Sequence, residues 1–482
     1  PLTWISHQLD CTLFGLNPAA HHLVSLLLHA LNTVLLFLWL DGLTGLRWRV
    51  AILAAIWGLH PLHVESVAWV SERKDVLSAL CWMLALLAYA AYVRKPGFAR
   101  YAIVAACFTA GLLSKPMVVT LPAILLLIDW RQRHPLRLTE KLPLFALAAA
   151  GAWMTVWAHQ QSSSIASTVT FPLQLRLANA AISYWRYLTK TIVPIDLAAF
   201  YPMPRSIPAG LAIAAMLGLL AVTYFAMRDR RIAFGWLWYL ITLAPVIGIV
   251  QTGMQSMADR YMYLPMAGLL AVMAWETRHA RAVIAASPLA IAACATLTIR
   301  QIPVWHDGVT LFTHAIRVTD GNFVAQDNLG VELDRRGRSE EALAHYREAV
   351  RIRPGDRNSE SNLAHALFDE GERLFRQGRL DDALAQFREG LPHAPQNAMA
   401  HTWIGLILMQ QEHLPAALAE FRLAVAIDPK LARAHVGLGV ALVRSGEIAA
   451  AKQELLQALK LDPANVEAKF DLDLIDRATS RH

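Results

Sequence analysis

Cysteine and charge are both scarce in this sequence. Four cysteines occur among 482 residues, with Cys81, Cys107 and Cys294 inside apolar runs and Cys11 alone, so neither a zinc-type spacing nor a disulfide framework is predicted. Charged residues make up 17% of the chain and hydrophobic residues 56%, whereas an ordinary soluble domain carries about 25% charged residues. The net charge of +7 comes without stacking aromatics among the basic residues, which argues against nucleic-acid binding. This composition predicts a membrane protein.

Long apolar runs fill the first 300 residues, and charge becomes dense and continuous after about residue 320. A helix needs about 20 apolar residues to cross a bilayer core of about 30 Å. On this basis we predict ten membrane-spanning helices, at residues 21–40, 50–66, 76–93, 101–116, 117–130, 142–158, 209–227, 233–250, 261–277 and 282–300.

Short basic loops follow every second predicted span, at residues 47–49, 94–100, 131–141, 228–231 and 278–281. Because loops of this kind stay in the cytoplasm, the other loops and both ends of the chain are predicted to face the opposite side, the periplasm or the lumen of the endoplasmic reticulum. Residues 178–194 are apolar but carry Arg186 and Lys190, and a span here would break the alternation. We therefore predict an amphipathic helix on the non-cytoplasmic membrane surface for this segment.

The last third of the chain repeats itself. Small residues recur at intervals of 41, 34 and 34 residues, and proline and a large apolar residue follow the same spacing. A 34-residue period of this kind predicts tetratricopeptide (TPR) repeats, which stack into an α-solenoid with a concave face that binds peptide. The alternative is a solenoid that only braces the membrane half or self-associates. The small positions are Gly330, Gly371, Gly405 and Gly439, and Ala342, Ala383, Ala417 and Ala451.

The loops predicted to lie outside the cytoplasm carry basic residues, against the usual trend. These are Arg73, Lys74, Lys115 and Arg260, and charges at membrane depth are functional by default. One reading is pairing with Glu72, Asp75 and Asp259, or snorkelling to lipid phosphates. The reading that we favour is a phosphate-bearing lipid ligand held by Arg and Lys.

His60 and His63 lie in the same loop as Glu65. Two histidines three residues apart, with a carboxylate nearby, can bind a divalent metal ion. A buried, hydrogen-bonded histidine pair is the more common outcome, and we predict no metal site. The sequence requires no cofactor, and this histidine set is the candidate for a divalent cation.

Several runs resemble the transmembrane and TPR-containing, O-mannosyltransferase-like family. They are the first 22 residues with Asn17-Pro18 and His21-His22, the loop at 60–75, Ser114-Lys115-Pro116, and residues 258–261. The resemblance covers nearly the whole chain, and the family is similar to the GT-C glycosyltransferases. It implies inverting transfer of a sugar, mannose in eukaryotic members, from a polyprenyl-phosphate carrier to a protein hydroxyl outside the cytoplasm.

The resemblance also implies roles for residues. Arg73, Lys74, Lys115 and Arg260 would hold the lipid phosphate, and His60, His63, Asp259 and Tyr261 would support them. The principal acid of GT-C enzymes lies in the first outer loop, and this chain reads as a fragment that begins at the far end of that loop. Asp10 is the acid left there, and Glu65 and Asp75 are the best remaining catalytic candidates.

We therefore expect an all-α protein with a polytopic transmembrane bundle of GT-C type at 1–302, a connecting segment at 303–321 and a TPR domain at 322–482. The functional expectation is a membrane glycosyltransferase whose partners are a polyprenyl-phosphate-linked sugar, a protein or peptide acceptor bound by the TPRs, and membrane lipids. The competing hypothesis is a membrane-anchored TPR scaffold without catalysis. A transporter is disfavoured because few ionisable residues lie within the spans.

Overall fold

The computed structural model describes residues 1–161, 171–251, 253–275 and 280–479. The chain divides into two compact units, Pro1–Asn322 and Phe323–His482. Residues 303–321, which we expected to be a connecting segment, fall within the first unit. Thr252, in the loop at 251–261, and Arg278, in the last predicted basic loop, lie outside the described residues.

The first unit is built from helices joined by short turns. A pair of short antiparallel strands, β1 (Tyr201–Pro202) and β2 (Gln255–Met257), joins two of its loops. Its 3-10 helices are Pro61–His63, Val70–Glu72, Pro116–Thr120, Asp259–Met262 and Ile302–Trp305. Its α-helices are α1 (Leu2–Phe14), α2 (Pro18–Thr44), α3 (Arg47–Gly58), α4 (Val64–Ala68), α5 (Arg73–Arg94), α6 (Phe98–Ser114), α7 (Leu121–Gln132), α8 (Leu138–Gln161), α9 (Leu173–Ile192), α10 (Ala209–Ala226), α11 (Arg230–Leu243), α12 (Pro265–Trp275), α13 (Ala280–Gln301) and α14 (Gly308–Val318).

Five helical stretches in the described residues are long and apolar enough to cross a membrane. They are Pro18–Thr44, Val70–Arg94, Leu138–Ala158, Ala209–Ala226 and Ile284–Trp305, and Arg47–Gly58 with Pro61–Ala68, bent by 51°, makes a sixth. Phe98–Ser114 and Pro265–Trp275 are apolar but shorter. Each of the ten predicted spans coincides at least in part with a helix, but among the described residues α6, α7, α11 and α12 are too short to meet this criterion. The prediction of a multi-pass, all-α membrane protein is confirmed.

The segment that we predicted as an amphipathic helix is helical, as α9. One face of α9 is buried and includes Asn179, Ser183 and Tyr187, whereas Arg186 is exposed. Asn179 donates a hydrogen bond to the Ser256 carbonyl oxygen at 2.9 Å, so this helix packs against strand β2. Its location on a membrane surface stays a prediction.

The second unit is a run of antiparallel helix pairs: α15 (Phe323–Asp334), α16 (Ser339–Ile352), α17 (Arg357–Arg376), α18 (Leu380–Gly390), α19 (Ala398–Gln410), α20 (Leu414–Ile427), α21 (Ala432–Ser445), α22 (Ile448–Leu461) and α23 (Val466–Thr479), with a 3-10 helix at Leu391–His393.

The small residues of the repeat lie where paired helices approach closely. A Cβ atom on Gly405 would lie 2.8 Å from Cε1 of Phe421, and one on Gly371 would lie 2.8 Å from Cε2 of Phe387. Ala417 and Ala451 are fully buried. The predicted TPR solenoid is confirmed by this packing.

Candidate functional site

Three segments far apart in the sequence bring charged side chains together in the first unit. They are the stretch from α4 to the first turn of α5, the junction between α6 and the turn Pro116–Thr120, and the turn Asp259–Met262. We call the resulting group the loop charge cluster: Glu65, Glu72, Lys74, Asp75, Lys115 and Arg260. Three of its members are carboxylates and three are cations.

Proline shapes the junction that carries Lys115. Lys115 precedes Pro116, and its backbone is extended, with φ −151° and ψ 129°. A residue before proline is pushed out of the helical region by a clash with the proline ring. Helix α6 therefore ends at Ser114, and the Lys115 side chain contacts Asp75 of α5 and Glu72 just before it.

Each cation of the cluster contacts at least one carboxylate. Arg260 forms an ion pair with Glu65, and its backbone N–H donates to Glu65 Oε2 at 2.9 Å. Lys115 forms an ion pair with Asp75, which also accepts a hydrogen bond from the Ser66 hydroxyl at 3.1 Å.

Glu72 lies between the three cations. Its Oε1 atom is 3.1 Å from Lys74 Nζ and 3.4 Å from Arg260 Nε, and its Oε2 atom is 3.5 Å from Lys115 Nζ. Sequence reasoning placed Glu72 only as a pairing partner and missed its central position. A signal was present, since Glu72 and Lys74 flank Arg73 immediately before a long apolar run.

The cluster is largely buried, with one accessible cation. The side chain of Lys74 is 39% exposed, compared with 11% for Lys115, 12% for Arg260 and 2% for Glu72. Burial alone would lower the pKa of Arg260, but the negative charges around it, that of Glu65 above all, raise it above its ordinary value. Arg260 is therefore a permanent cation, and Lys74 is the cation of the cluster that is most accessible to solvent.

Aromatic rings border the cluster. The Arg260 guanidinium lies 5.0 Å from the ring centre of Tyr261 and 5.5 Å from that of Trp69, and Lys115 Nζ lies 5.6 Å from the Tyr261 ring. Rings at these distances favour cations through their negative faces. Tyr261 thus lies beside two of the cations, and its supporting role stays a prediction.

Arg73 lies apart from this cluster, although it is the neighbour of Lys74. Its side chain is fully buried and forms an ion pair with Asp10. It also donates to the His21 carbonyl oxygen at 2.6 Å and to the Ser25 hydroxyl at 3.4 Å. Arg73 therefore ties α5 to α1 and α2, and the structure does not bring it together with Lys74, Lys115 and Arg260.

Asp259 forms its contacts on another side of the site. The Tyr201 hydroxyl donates to its two carboxylate oxygens at 2.9 and 3.0 Å. In the alternative reading of the basic loop residues, Asp259 pairs with one of them. In the structure Asp259 is hydrogen-bonded to Tyr201, which the β1–β2 pairing brings next to it. Burial, with the negative charge of Glu65 as a second cause, raises the pKa of Asp259 to about 8.

His60 and His63 are hydrogen-bonded to the backbone. His60 Nε2 lies 3.0 Å from the Thr191 carbonyl oxygen, and His63 Nδ1 lies 2.7 Å from the Trp57 carbonyl oxygen. Their rings are 5.9 Å apart, and both residues are buried. The geometry is that of the hydrogen-bonded histidine pair, with Glu65 engaged by Arg260 instead.

A different set of residues has the spacing of metal ligands. Among the described residues, His7, Asp10 and His21 have ligand atoms within 4.8 Å of one another. The Asp10 carboxylate is already neutralised by Arg73, whose positive charge would repel a divalent ion. These residues therefore fit an ion poorly.

The second unit matches known repeat families. Residues 324–353, 368–432 and 432–465 match family models described as tetratricopeptide repeat. A crystal structure of YrrB, described as a TPR protein with an unusual peptide-binding site, is 16% identical, and the match covers 40% of this chain and 97% of that chain with a TM-score of 0.28.

The membrane half is similar to curated relatives as well. "Protein O-mannosyl-transferase TMTC1" of Homo sapiens is 22% identical over 77% of this chain and 50% of its own length. "Protein O-mannosyl-transferase Tmtc3" of Drosophila melanogaster is 23% identical over 75% of this chain and 49% of its own length. The chain spans about half the length of these relatives. The predicted resemblance is thereby confirmed: this chain resembles the transmembrane and TPR-containing family whose members are named protein O-mannosyl-transferases.

Proposed function

We propose that this protein is a membrane glycosyltransferase that moves a mannose-like sugar from a polyprenyl-phosphate carrier to a protein acceptor on the non-cytoplasmic side. The observation that carries this proposal is the loop charge cluster, in which Lys74, Lys115 and Arg260 converge next to an apolar span. Buried charges are expensive at membrane depth, so their retention there calls for a function.

The cations have a defined task in such a reaction. The phosphate of the carrier is the leaving group, and Lys74, Lys115 and Arg260 stabilise the negative charge that develops on it. Arg73, buried against Asp10, ties α5 to α1 and α2 and is not one of these cations. A carboxylate deprotonates the acceptor hydroxyl. The family resemblance implies a principal acid in the first outer loop, and Glu65 and Asp75, which pair with Arg260 and Lys115, are the catalytic candidates among the acids of this chain.

The proposed location of the cluster on the non-cytoplasmic side of the membrane is based on the basic loops. They follow alternate predicted spans, so the loops that carry the cluster lie on the other side. The same alternation predicts that the end of α13, and hence the TPR domain, lies on the non-cytoplasmic side.

The solenoid is proposed to bind the protein acceptor or a partner. It contains a groove of about 520 Å³ lined by charged residues, among them Asp334, Glu340, Asp369 and Arg373. Concave grooves of stacked helix pairs are typical peptide-binding surfaces.

A membrane-anchored scaffold is the second candidate function. It is favoured by the balance of the cluster, because three cations opposite three carboxylates can be a purely structural network. The two functions differ in whether a phosphate-bearing lipid binds there.

Photocrosslinking tests this difference. A photoreactive polyprenyl phosphate in membranes should label peptides that contain Lys74, Lys115 or Arg260. Lys74→Gln should reduce the labelling, because Lys74 is the accessible cation. Lys95→Gln is the matched control, since Lys95 follows the opposite end of the 22-residue helix α5, about 33 Å away. Equal labelling of both variants, or labelling elsewhere in the chain, would favour the scaffold.

A further inference from the structure

Glu72 has an unusual position within the loop charge cluster. Lys74, Lys115 and Arg260 come from three different segments, and each has a side-chain nitrogen within 3.5 Å of the Glu72 carboxylate. No other carboxylate of the cluster has ion pairs with all three cations. The three positive charges thus converge on one position, and the Glu72 carboxylate occupies this position.

The other two carboxylates have hydrogen-bond donors besides the side chains of the cations. Glu65 accepts from both the side chain and the backbone of Arg260, and Asp75 accepts from Lys115 and Ser66. In the part of the chain that the structure describes, Glu72 Oε2 has no hydrogen-bond partner although it is buried. Glu72 is thus held by the three cations, whereas Glu65 and Asp75 also have hydrogen-bond donors of their own, so an anion that binds the three cations competes with Glu72 above all.

Glu72 lies at a junction between two helical segments. Glu72 is the last residue of the 3-10 helix Val70–Glu72, and α5 begins at the next residue. The preceding residues, Trp69 and Ser71, are exposed. A small rotation at this junction would withdraw the Glu72 carboxylate from the cations, while Arg73 keeps α5 fixed to Asp10.

We propose that Glu72 is an internal counter-anion that competes with a phosphate group for Lys74, Lys115 and Arg260. This inference rests on the proposed function and adds a positioning residue to it. The cluster is balanced as three cations and three carboxylates, so a phosphate adds an uncompensated negative charge unless Glu72 withdraws. Glu72 keeps the cations converged on one point and lowers the affinity for phosphate, which favours release of the carrier after transfer.

The geometry fits a phosphate group in particular. Two ammonium groups and one guanidinium approach from separate segments, and a phosphate offers several oxygens on different sides to such donors. A polyprenyl tail would extend along the apolar helices beside the cluster, whereas free inorganic phosphate would use the cations alone.

Binding to the complete chain in lipid nanodiscs tests the inference, with farnesyl phosphate and inorganic phosphate as the probes. Glu72→Gln keeps the size of the side chain and removes its charge, so farnesyl phosphate should bind about tenfold more tightly. Lys74→Gln should weaken binding. Glu140→Gln, which removes a carboxylate paired with Arg137 outside the cluster, is the matched control and should leave binding unchanged.

Each outcome decides a separate point. Unchanged or weaker binding in Glu72→Gln, together with weaker binding in Lys74→Gln, overturns the role of Glu72 and leaves the proposed function standing. If neither Glu72→Gln nor Lys74→Gln changes the binding, the phosphate site itself is overturned. Inorganic phosphate binding as tightly as farnesyl phosphate would overturn the lipid as its source. If Glu72→Gln fails to fold, Glu72→Asp replaces it, because this substitution withdraws the carboxylate by one methylene. Glu72→Asp should also tighten the binding of farnesyl phosphate. Unchanged or weaker binding would overturn the role of Glu72 in the same way. If Glu72 had a purely structural role, its substitution would not tighten the binding of farnesyl phosphate.

Discussion

Arg260 and Glu65 are joined twice, although 195 residues separate them in the chain: their side chains form an ion pair, and the Arg260 backbone N–H donates to the Glu65 carboxylate at 2.9 Å. This double contact fixes the turn Asp259–Met262 against α4. It therefore sets the position of one cation of the proposed phosphate site.

Arg260→Ala should destabilise the first unit as well as stop sugar transfer. Loss of the guanidinium leaves Glu65 buried and unpaired, and breaking a buried ion pair costs about 3–5 kcal/mol. The measurement is the unfolding temperature in detergent. Glu65→Gln combined with Arg260→Gln should recover most of the stability, but not the transfer.

Arg347→Ala is the control for this prediction. Arg347 pairs with Glu389 in the solenoid, and both side chains are more than 40% exposed. An exposed pair contributes about 0–1 kcal/mol. If Arg260→Ala is as mild as Arg347→Ala, the Glu65–Arg260 pair is not a structural contact.

Asp259 should make the stability of the protein depend on pH. Its pKa is about 8 in the folded protein, against an ordinary value of 3.8. The stabilising effect of this proton is fully present below about pH 4 and is lost as the pH rises through about 8. The free energy of unfolding should fall over this range, and Asp259→Asn should flatten the fall.

Asp320→Asn is the matched control for the pH profile, because Asp320 is an exposed carboxyl. It should leave the wild-type profile unchanged. An Asp259→Asn profile with the same slope as the wild type would show that Asp259 is ionised in the folded protein.

Gly405→Ala should loosen the solenoid. The added methyl group would lie 2.8 Å from the Phe421 ring, and overpacking of this kind costs about 1–3 kcal/mol. Hydrogen exchange of α19 and α20 should become about tenfold faster for each 1.4 kcal/mol that is lost.

Gly210→Ala in α10 is the control for this prediction. Nothing lies within 4 Å of its Cβ position, so this substitution should be neutral or slightly stabilising. Equal exchange rates in α19 and α20 for wild type and Gly405→Ala would contradict the close packing.

The repeat half was predictable because its signal is periodic. Gly330, Gly371, Gly405 and Gly439 recur with the spacing of a helix pair, and the structure places each beside the large residue of the following helix. The membrane half was less predictable in detail. Apolar runs show where helices form, but α11 ends at Leu243 within a run that looked long enough to span.

The loops of the site were predictable, and their contacts were not. Lys74, Lys115 and Arg260 stood out as basic residues on the unexpected side, and the structure brings them together. Arg73 and Lys74 point to different sides because successive residues of a helix lie about 100° apart. Sequence alone could not show that Arg73 faces Asp10, or that Glu72 lies between the three cations.

The most direct test is the transfer of labelled mannose from a polyprenyl-phosphate carrier to membrane protein by the full-length protein. We expect transfer by the wild type and by Lys95→Gln. Lys74→Gln, which leaves Glu72 with two cations, should lower the initial rate by about tenfold to a hundredfold. Wild-type transfer in Lys74→Gln, or no transfer by the wild type, would contradict the assignment of the loop charge cluster as the site of a glycosyltransferase.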